Sequence, residues 1–244
     1  MEELKRQHDG AELRAYLFRP EESRPGAHGV IVYMDIHGIR QGLFEVCERM
    51  ASLGHSVLLP DVYFRLGTYE PCTPAEAAAD EALRAQRRAM REKTPVDLTA
   101  SDTGAFVGLL TSNGVTGKIA TVGYCMGGAR AMRAAHAAPD RVVLAASFHG
   151  GNLATDDPSS PHLYLDGVRA RFYVGAADKD GSYPPEQAAV FVETAMKAGI
   201  ETIHENYLGC PHGWVFHDNP RIHNAAGAER HFARLATQFS ECLN

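Results

Sequence analysis

The sequence predicts an α/β protein whose mostly parallel central sheet carries helices on both faces and begins with an antiparallel hairpin. Two observations support this fold class. Short, nearly continuous apolar runs indicate strands that are buried on both faces, and these runs alternate with longer stretches of helical periodicity. The 244 residues and the 45% hydrophobic content suit one domain over residues 1–244 with a continuous core.

The N-terminal part supplies the hairpin and two of the buried strands. Residues 4–20 alternate polar and apolar side chains around an Asp-Gly turn, which is typical of a β-hairpin. Apolar runs predict strands over residues 28–35 and 55–61. Between them, helical spacing predicts a helix over residues 41–54 that ends at Gly54.

The rest of the chain continues the alternation of helices and strands. Thr73 and Glu76 have the spacing of a capping box, which predicts a helix over residues 74–92, either covering a pocket or lying away from it. The elements expected after it are a helix over 96–112, strands over 118–123, 141–148 and 169–175, a helix over 184–199, a strand over 201–207 and a helix from Asn224. Because such sheets bind ligands beyond the carboxyl ends of their strands, we expect the functional residues just after the strands.

Charge and hydropathy exclude several classes of partner. The formal net charge is −6, so no basic surface for nucleic acid or an anionic membrane is expected. No apolar run reaches about 18 residues, and the charged N-terminus lacks the apolar core of a secretory signal. The five cysteines show no CxxC pairing, which favours free thiols in the cytoplasm. We expect a monomer or a homodimer.

A cysteine stands at the tip of a glycine-rich turn in residues 118–136, KIATVGYCMGGARAMRAAH. Gly123-x-Cys125-x-Gly127 between a strand and a helix is typical of a nucleophile elbow, in which the residues two before and two after the nucleophile lie too close for side chains. A helix N-terminus also favours a thiolate. The alternative is an inert, buried cysteine in a glycine-rich turn.

An acid and a base are expected to follow the nucleophile in the chain. Asp178 follows the strand that ends near Gly175, and His212 follows the next strand. We therefore predict a triad in which His212 takes the thiol proton and Asp178 orients the imidazole. Asp180 competes with Asp178 for the acid role. The competing bases are His204, His217 and His223.

The twelve histidines raise the question of a metal site. Cys210, His212 and His217 lie close together in the sequence, but their spacing fits no familiar zinc pattern. We expect no metal and no cofactor.

Several segments together resemble the dienelactone hydrolase family of α/β-hydrolases, and the resemblance spans most of the chain. GYCMGG (123–128) matches the cysteine elbow of that family, and MDIHG (34–38) and LLPDVYFR (58–65) are similar to two of its other segments. GAAD (175–178) and PHGW (211–214) are similar to its acid and histidine segments. The resemblance implies an α/β-hydrolase fold.

The resemblance also implies roles for individual residues. Cys125, Asp178 and His212 correspond to catalytic residues of the family. The backbone N–H groups of Met126 and Ile36 correspond to its oxyanion hole, which stabilises the negative oxygen of a tetrahedral intermediate.

Four further residues are predicted to bind substrate. Asp35 replaces a family glutamate that takes part in activating the nucleophile, so it acts with a shorter reach, through water, or only as a loop residue. Arg65 matches one of two arginines that hold a substrate carboxylate in the family, whereas Phe216 occupies the place of the other. This change favours a less anionic or more apolar substrate.

The other two are His37 and Trp214, which are predicted to flank the site. His37-Gly38 resembles the His-Gly oxyanion loops of lipases, although an ordinary turn explains it equally well, and Trp214 is predicted to be a pocket wall.

These roles predict a carboxylesterase with a cysteine nucleophile that cleaves small activated esters or lactones through an acyl-thioester. A thiolate is both a good nucleophile and a good leaving group, so it suits substrates whose own leaving group is activated. One alternative is an acyl or thiol transferase that uses the same site. The other is a non-catalytic relative that binds a ligand or responds to oxidation.

Overall fold

The computed structural model describes residues 1–22 and 26–244. Within them the strands are β1 (Glu2–His8), β2 (Ala11–Phe18), β3 (Gly29–Tyr33), β4 (Ser56–Pro60), β5 (Ile119–Tyr124), β6 (Val142–Phe148), β7 (Arg171–Ala177) and β8 (Thr202–Tyr207). The α-helices of the same residues are α1 (Gln41–Ala51), α2 (Pro74–Ala79), α3 (Glu81–Lys93), α4 (Thr99–Ser112), α5 (Met126–Ala137), α6 (Pro185–Lys197) and α7 (Ala225–Cys242).

All eight strands form one sheet in the order β1-β2-β4-β3-β5-β6-β7-β8. The pairs β1–β2 and β2–β4 are antiparallel, and every other neighbouring pair is parallel. The predicted mostly parallel sheet with an N-terminal hairpin is therefore confirmed. Because the parallel strands run in one direction, the loops that follow β3, β5, β6, β7 and β8 lie at the same edge of the sheet.

Buried strands and two layers of helices form the core. Val30, Ile31 and Val32 of β3 are fully buried, as the continuous apolar run predicts. Helix α5 packs on β3, β5 and β6 and contacts α4, whereas α7 contacts β6 and is joined to α1 by a hydrogen bond between Arg49 and Glu229. Among the described residues, no helix combines the length and the apolar character needed to cross a bilayer.

The predicted helix over residues 74–92 is two helices rather than one. Thr73 and Glu76 form the predicted capping box at the start of α2. Asp80 then interrupts the helix because its backbone is extended (φ −127°, ψ 111°), and its side chain accepts hydrogen bonds from Ala82 N at 2.8 Å and Leu83 N at 3.2 Å to cap α3. The break directs the end of α3 towards the site described next.

Candidate active site

Cys125 occupies the sharp turn between β5 and α5, where its backbone has φ 53° and ψ −118°. A positive φ is unfavourable for a residue with a side chain, and such strain is concentrated at functional sites. The Cys125 N–H donates to the carbonyl of Phe148 at 3.3 Å, which holds the turn against β6. The Cys125 side chain is partly exposed and faces a cavity. The Cys125 thiol is therefore accessible from the cavity and is not buried in the core.

Two glycines allow the backbone around Cys125 to pack this closely. A Cβ atom on Gly123 would lie 2.0 Å from the carbonyl oxygen of Gly127, and a Cβ atom on Gly127 would lie 2.2 Å from the carbonyl oxygen of Tyr33. Real Cβ atoms do not approach backbone atoms so closely, so both positions require glycine. The packing also brings the end of β3 directly against the elbow.

His212 lies between the Cys125 sulfur and a carboxylate. Its side chain is hydrogen-bonded to Cys125, and its Nδ1 atom lies 2.6 Å from Oδ2 of Asp180. Burial alone would lower the pKa of His212, but the charge on Cys125 and the hydrogen bonds to Asp180 and Cys125 outweigh it and raise the pKa to about 10. The other predicted bases, His204, His217 and His223, do not line the cavity.

The carboxylate that contacts His212 belongs to Asp180, which corrects the prediction of Asp178. Lys179 between them has φ 53°, and this left-handed turn directs Asp180 towards the histidine. Asp180 Oδ1 also accepts hydrogen bonds from the N–H of Ser182 at 2.9 Å and its hydroxyl at 2.7 Å. Burial would raise the pKa of Asp180, but the His212 and Ser182 hydrogen bonds lower it to about 2.

Asp178 has a structural contact instead. Its Oδ2 accepts a hydrogen bond from the backbone N–H of Gly209 at 3.1 Å, and its own N–H donates to the carbonyl of Cys210 at 2.8 Å. These bonds tie the end of β7 to the loop that carries His212. Asp178 therefore supports the position of that loop without touching the imidazole.

His149 is a site residue that the sequence analysis did not single out. It follows β6, has φ 40°, and is almost fully buried with its ring centroid 5.0 Å from that of His212 in an edge-to-face contact. Burial and the neighbouring His212 lower the pKa of His149 well below its ordinary value, so the ring is neutral. The neutral ring of His149 therefore packs against the ring of His212 on one side.

The two predicted oxyanion-hole residues lie next to each other. Met126 directly follows Cys125 and begins α5, where backbone N–H groups have no partner within the helix. The Tyr63 hydroxyl donates to the Ile36 carbonyl at 3.1 Å and lies 3.5 Å from the Met126 sulfur, so it bridges the two residues. No backbone carbonyl of the described residues accepts a hydrogen bond from the N–H of Ile36. Both N–H groups remain available to an oxygen atom.

Asp35 does not contact the Cys125 sulfur, because both of its carboxylate oxygens face Arg40 at 2.8 Å. Its Oδ1 also accepts from the backbone N–H of His37 at 2.9 Å. Burial would raise the pKa of Asp35, but Arg40 and His37 hold it below its ordinary value. The imidazole of His37 lies 3.7 Å from Cys72 and does not line the cavity.

Two predicted substrate contacts are corrected by the structure. Arg65 forms ion pairs with Asp102 at 2.6 Å and Asp9 at 2.9 Å, on a part of the surface outside the cavity. Trp214 is fully buried and stacks on Tyr207 with a centroid separation of 4.7 Å, so it belongs to the core rather than to the cavity wall. Both predictions came from sequence similarity, which does not specify where a side chain points.

A cavity of about 730 Å³ lies in front of Cys125 and His212. Its polar lining includes Arg91, Glu92, Arg130, Asn152, Thr155, Asp157, Ser159, Ser160 and Ser182. Its apolar lining includes Pro95, Val96, Met126, Ala129 and Pro161. The end of α3 and the segment after it therefore form part of one wall, a point that the sequence left open. No group of three potential metal ligands occurs among residues 1–22 and 26–244.

Comparison with known proteins identifies relatives over most of the chain. A sequence profile of the dienelactone hydrolase family matches residues 13–243. A protein of Escherichia coli (strain K12), named as a candidate carboxymethylenebutenolidase, is 24% identical over 237 residues, which are 95% of this chain and 83% of that protein. A protein of the same name from Yersinia pestis is 28% identical over 119 residues, 49% of this chain but only 42% of that protein.

Solved structures with the same fold include two that are named as dienelactone hydrolases. A candidate dienelactone hydrolase from Klebsiella pneumoniae superposes with a TM-score of 0.80 at 19% identity and covers 98% of both chains. The dienelactone hydrolase from Anabaena variabilis superposes with a TM-score of 0.67 at 16% identity, over 100% of this chain and 98% of that one. These similarities show an α/β-hydrolase fold.

Proposed function

This chain belongs to the dienelactone hydrolase family, and from that premise we propose that it hydrolyses small activated carboxylic esters or lactones through an acyl-thioester on Cys125. The observation that carries the proposal is the position of His212 between Cys125 and Asp180. An imidazole hydrogen-bonded to a thiol on one side and to a carboxylate on the other can move the protons that nucleophilic catalysis requires.

In the first half of the reaction, the Cys125 sulfur attacks the carbonyl carbon of the substrate. The pKa of about 10 for His212 keeps its imidazole protonated at neutral pH, and the N-terminus of α5 favours negative charge that develops on the sulfur. The N–H groups of Met126 and Ile36 stabilise the resulting oxyanion, and one such donor contributes about 3–4 kcal/mol in related chemistry. When the tetrahedral intermediate collapses, the carbon–oxygen bond of the ester breaks and His212 donates its proton to the leaving oxygen.

In the second half, water hydrolyses the thioester. Once the sulfur of Cys125 is acylated it carries no charge, so the strongest influence that raises the pKa of His212 is removed. His212 can then accept a proton from water, while Asp180 keeps the imidazole oriented. Attack of the hydroxide on the thioester releases the acid and restores the thiolate–imidazolium pair.

The cavity supports a small substrate that has both apolar and polar parts. Its volume of about 730 Å³ is within the range of sites for small molecules. The expectation of a less anionic substrate was based on Arg65 and Phe216, and neither residue lines the cavity. The arginines that line it are Arg91 and Arg130, which the family comparison did not indicate, and the carboxylates of Glu92, Asp157 and Asp180 line the same cavity.

The experiment compares Cys125→Ala with a matched change at Cys242, another partly exposed thiol, located at the end of α7. We expect Cys125→Ala and stoichiometric alkylation of Cys125 to abolish hydrolysis of activated aryl and enol esters, and Cys242→Ala to leave it unchanged. Adding alcohol, amine or thiol acceptors distinguishes a hydrolase from a transferase by its products. Turnover that survives both the substitution and the alkylation would exclude Cys125 as the nucleophile.

A further inference from the structure

Arg40 joins two loops of the active site that are far apart in the sequence. Its guanidinium contacts both carboxylate oxygens of Asp35 at 2.8 Å each, and its Nε donates to Oδ2 of Asp218 at 2.5 Å. Asp35 lies in the loop after β3, immediately before Ile36, and Asp218 lies six residues after His212. One cation therefore connects the loop of the proposed oxyanion donor with the segment that carries the proposed base.

The ion-pair cluster of Arg40, Asp35 and Asp218 is buried. The side-chain exposures are 5% for Arg40, 4% for Asp35 and 12% for Asp218, so water screens these charges little. Arg40 also donates to the carbonyl of Gly38 at 3.3 Å, and its guanidinium lies 4.9 Å from the centre of the Phe216 ring. Such a fork of bonds fixes geometry as well as charge, because guanidinium donors have rigid directions.

Three contacts restrain the chain on either side of the Ile36 N–H. Asp35, the residue before it, is held by Arg40. His37, the residue after it, donates its N–H to the same Asp35 carboxylate at 2.9 Å. The carbonyl of Ile36 itself accepts from the Tyr63 hydroxyl at 3.1 Å. The Ile36 carbonyl and the His37 N–H belong to the peptide that follows Ile36, so their two hydrogen bonds fix the chain just after the Ile36 N–H. The Arg40 contact holds the side chain of the residue just before it, so the chain is restrained on both sides of this N–H.

Asp218 sits against the beginning of α1. A Cβ atom on Gly42 would lie 2.6 Å from Asp218 Oδ2, so the carboxylate occupies the space that a larger residue would fill. The first turn of α1 has no acidic residue and no side-chain cap of its own. The positive end of the helix and Arg40 together stabilise this carboxylate, which keeps the segment after His212 close to the Ile36 loop.

From these contacts we infer that Arg40 is a positioning residue, which acts through Asp35 to aim the Ile36 N–H at the oxyanion, while Asp218 holds the Arg40 guanidinium in place. The inference rests on the proposed function. It also gives Asp35 a role different from activation of the thiol: its carboxylate is committed to Arg40 and to the loop.

The test separates attack by the thiol from stabilisation of the oxyanion. Alkylation of Cys125 by iodoacetamide requires the thiolate and His212 but no oxyanion hole, whereas acylation by an activated aryl ester requires all three. In Arg40→Met the carboxylates of Asp35 and Asp218 lose their shared cation and repel each other, so the Ile36 loop shifts. We expect kcat for the ester to fall about tenfold to a hundredfold with KM changed less than about threefold. We expect the alkylation rate of Cys125 to stay within about twofold.

The matched control is Arg49→Met on α1, the helix that Arg40 precedes. This change removes an arginine–carboxylate pair that is exposed and remote from the cavity. It should change neither rate. Asp218→Asn is the second variant and remains informative if Arg40→Met does not fold. It weakens the hold on the Arg40 guanidinium but keeps the Asp35–Arg40 contact, so a smaller selective loss of kcat, about threefold to tenfold, is expected.

Two results would overturn the inference. One is a parallel loss of esterase activity and alkylation in folded Asp218→Asn or Arg40→Met, which would place the effect on the thiol–imidazole pair. The other is unchanged kcat in these variants. Failure of the proposed function would look different, because the wild-type protein would then show no ester turnover that alkylation of Cys125 removes.

Discussion

Replacing Asp180 by asparagine removes the charge that faces His212 with almost no change in shape. The carboxylate lies 2.6 Å from Nδ1 of His212, and its side chain is only 6% exposed. An amide in this place can present its NH₂ group to Nδ1 and favour the wrong tautomer, and it no longer stabilises the imidazolium. Loss of the corresponding carboxylate in other triads lowers the rate about 10³- to 10⁴-fold, which corresponds to about 4–5.5 kcal/mol of transition-state stabilisation.

The assay is kcat/KM for an activated aryl ester, with Asp178→Asn as the matched control. Among the residues that the structure describes, the Asp178 carboxylate accepts one hydrogen bond, from the Gly209 N–H at 3.1 Å. Its substitution should therefore lower kcat/KM less than about tenfold and mainly weaken the loop by about 1 kcal/mol. A loss of 10³-fold or more in Asp178→Asn, together with a small effect in Asp180→Asn, would show that the acid role belongs to Asp178.

Two further predictions concern stability. Gly123→Ala places a Cβ atom 2.0 Å from the carbonyl oxygen of Gly127, so we expect it to lower the free energy of unfolding by about 3 kcal/mol or more in a denaturant titration. The control is Gly104→Ala, which has no atom within 4 Å of the added Cβ and should raise the free energy of unfolding by about 0.5–1 kcal/mol. Equal stabilities of the two variants would contradict the crowding at the elbow. The contribution of His212 to stability is complete below its unfolded pKa of about 6.5 and is lost as the pH rises through its folded pKa of about 10. The contribution of Asp180 is present above its unfolded pKa of about 3.8 and is lost as the pH falls through its folded pKa of about 2. The difference in Tm between the wild type and Asp180→Asn should therefore be largest between about pH 4 and 6.5 and should shrink towards pH 10; a difference that grows towards pH 10 would contradict this linkage.

Local patterns were sufficient to predict the sheet and the elbow. Apolar runs such as residues 28–35 and the glycines around Cys125 have direct physical causes, namely burial on both faces and close backbone packing. The single helix expected over residues 74–92 is instead divided because Asp80 caps a new helix, a choice that depends on the preference of aspartate for the N-cap.

The sequence did not show which aspartate contacts His212. Asp178 and Asp180 follow the same strand, and Asp180 lies against the imidazole after a residue with positive φ, Lys179. Lysine gives little sequence signal for such a conformation, whereas glycine would have indicated it. The order of nucleophile, acid and base therefore restricted the choice to two aspartates but did not select between them.

Contacts between side chains that are far apart in the chain could not be predicted from the sequence. Arg40 and Asp218 are separated by 178 positions, and no periodic pattern connects them. Arg65 matched a family segment, yet the nearby carboxylates of Asp102 and Asp9 hold it away from the cavity. His149 gave no signal either, because a histidine after a strand looks the same in sequence whether it faces solvent or an imidazole.

Mass spectrometry of protein quenched during turnover of an activated ester tests most directly whether Cys125 becomes acylated. The account predicts a mass increase equal to the acyl group, located on the peptide that contains Cys125. It also predicts that His212→Gln protein, once acylated with a reactive thioester, keeps this acyl group longer than the wild type. Continued turnover with no acyl adduct, or with the adduct on another residue, would contradict it.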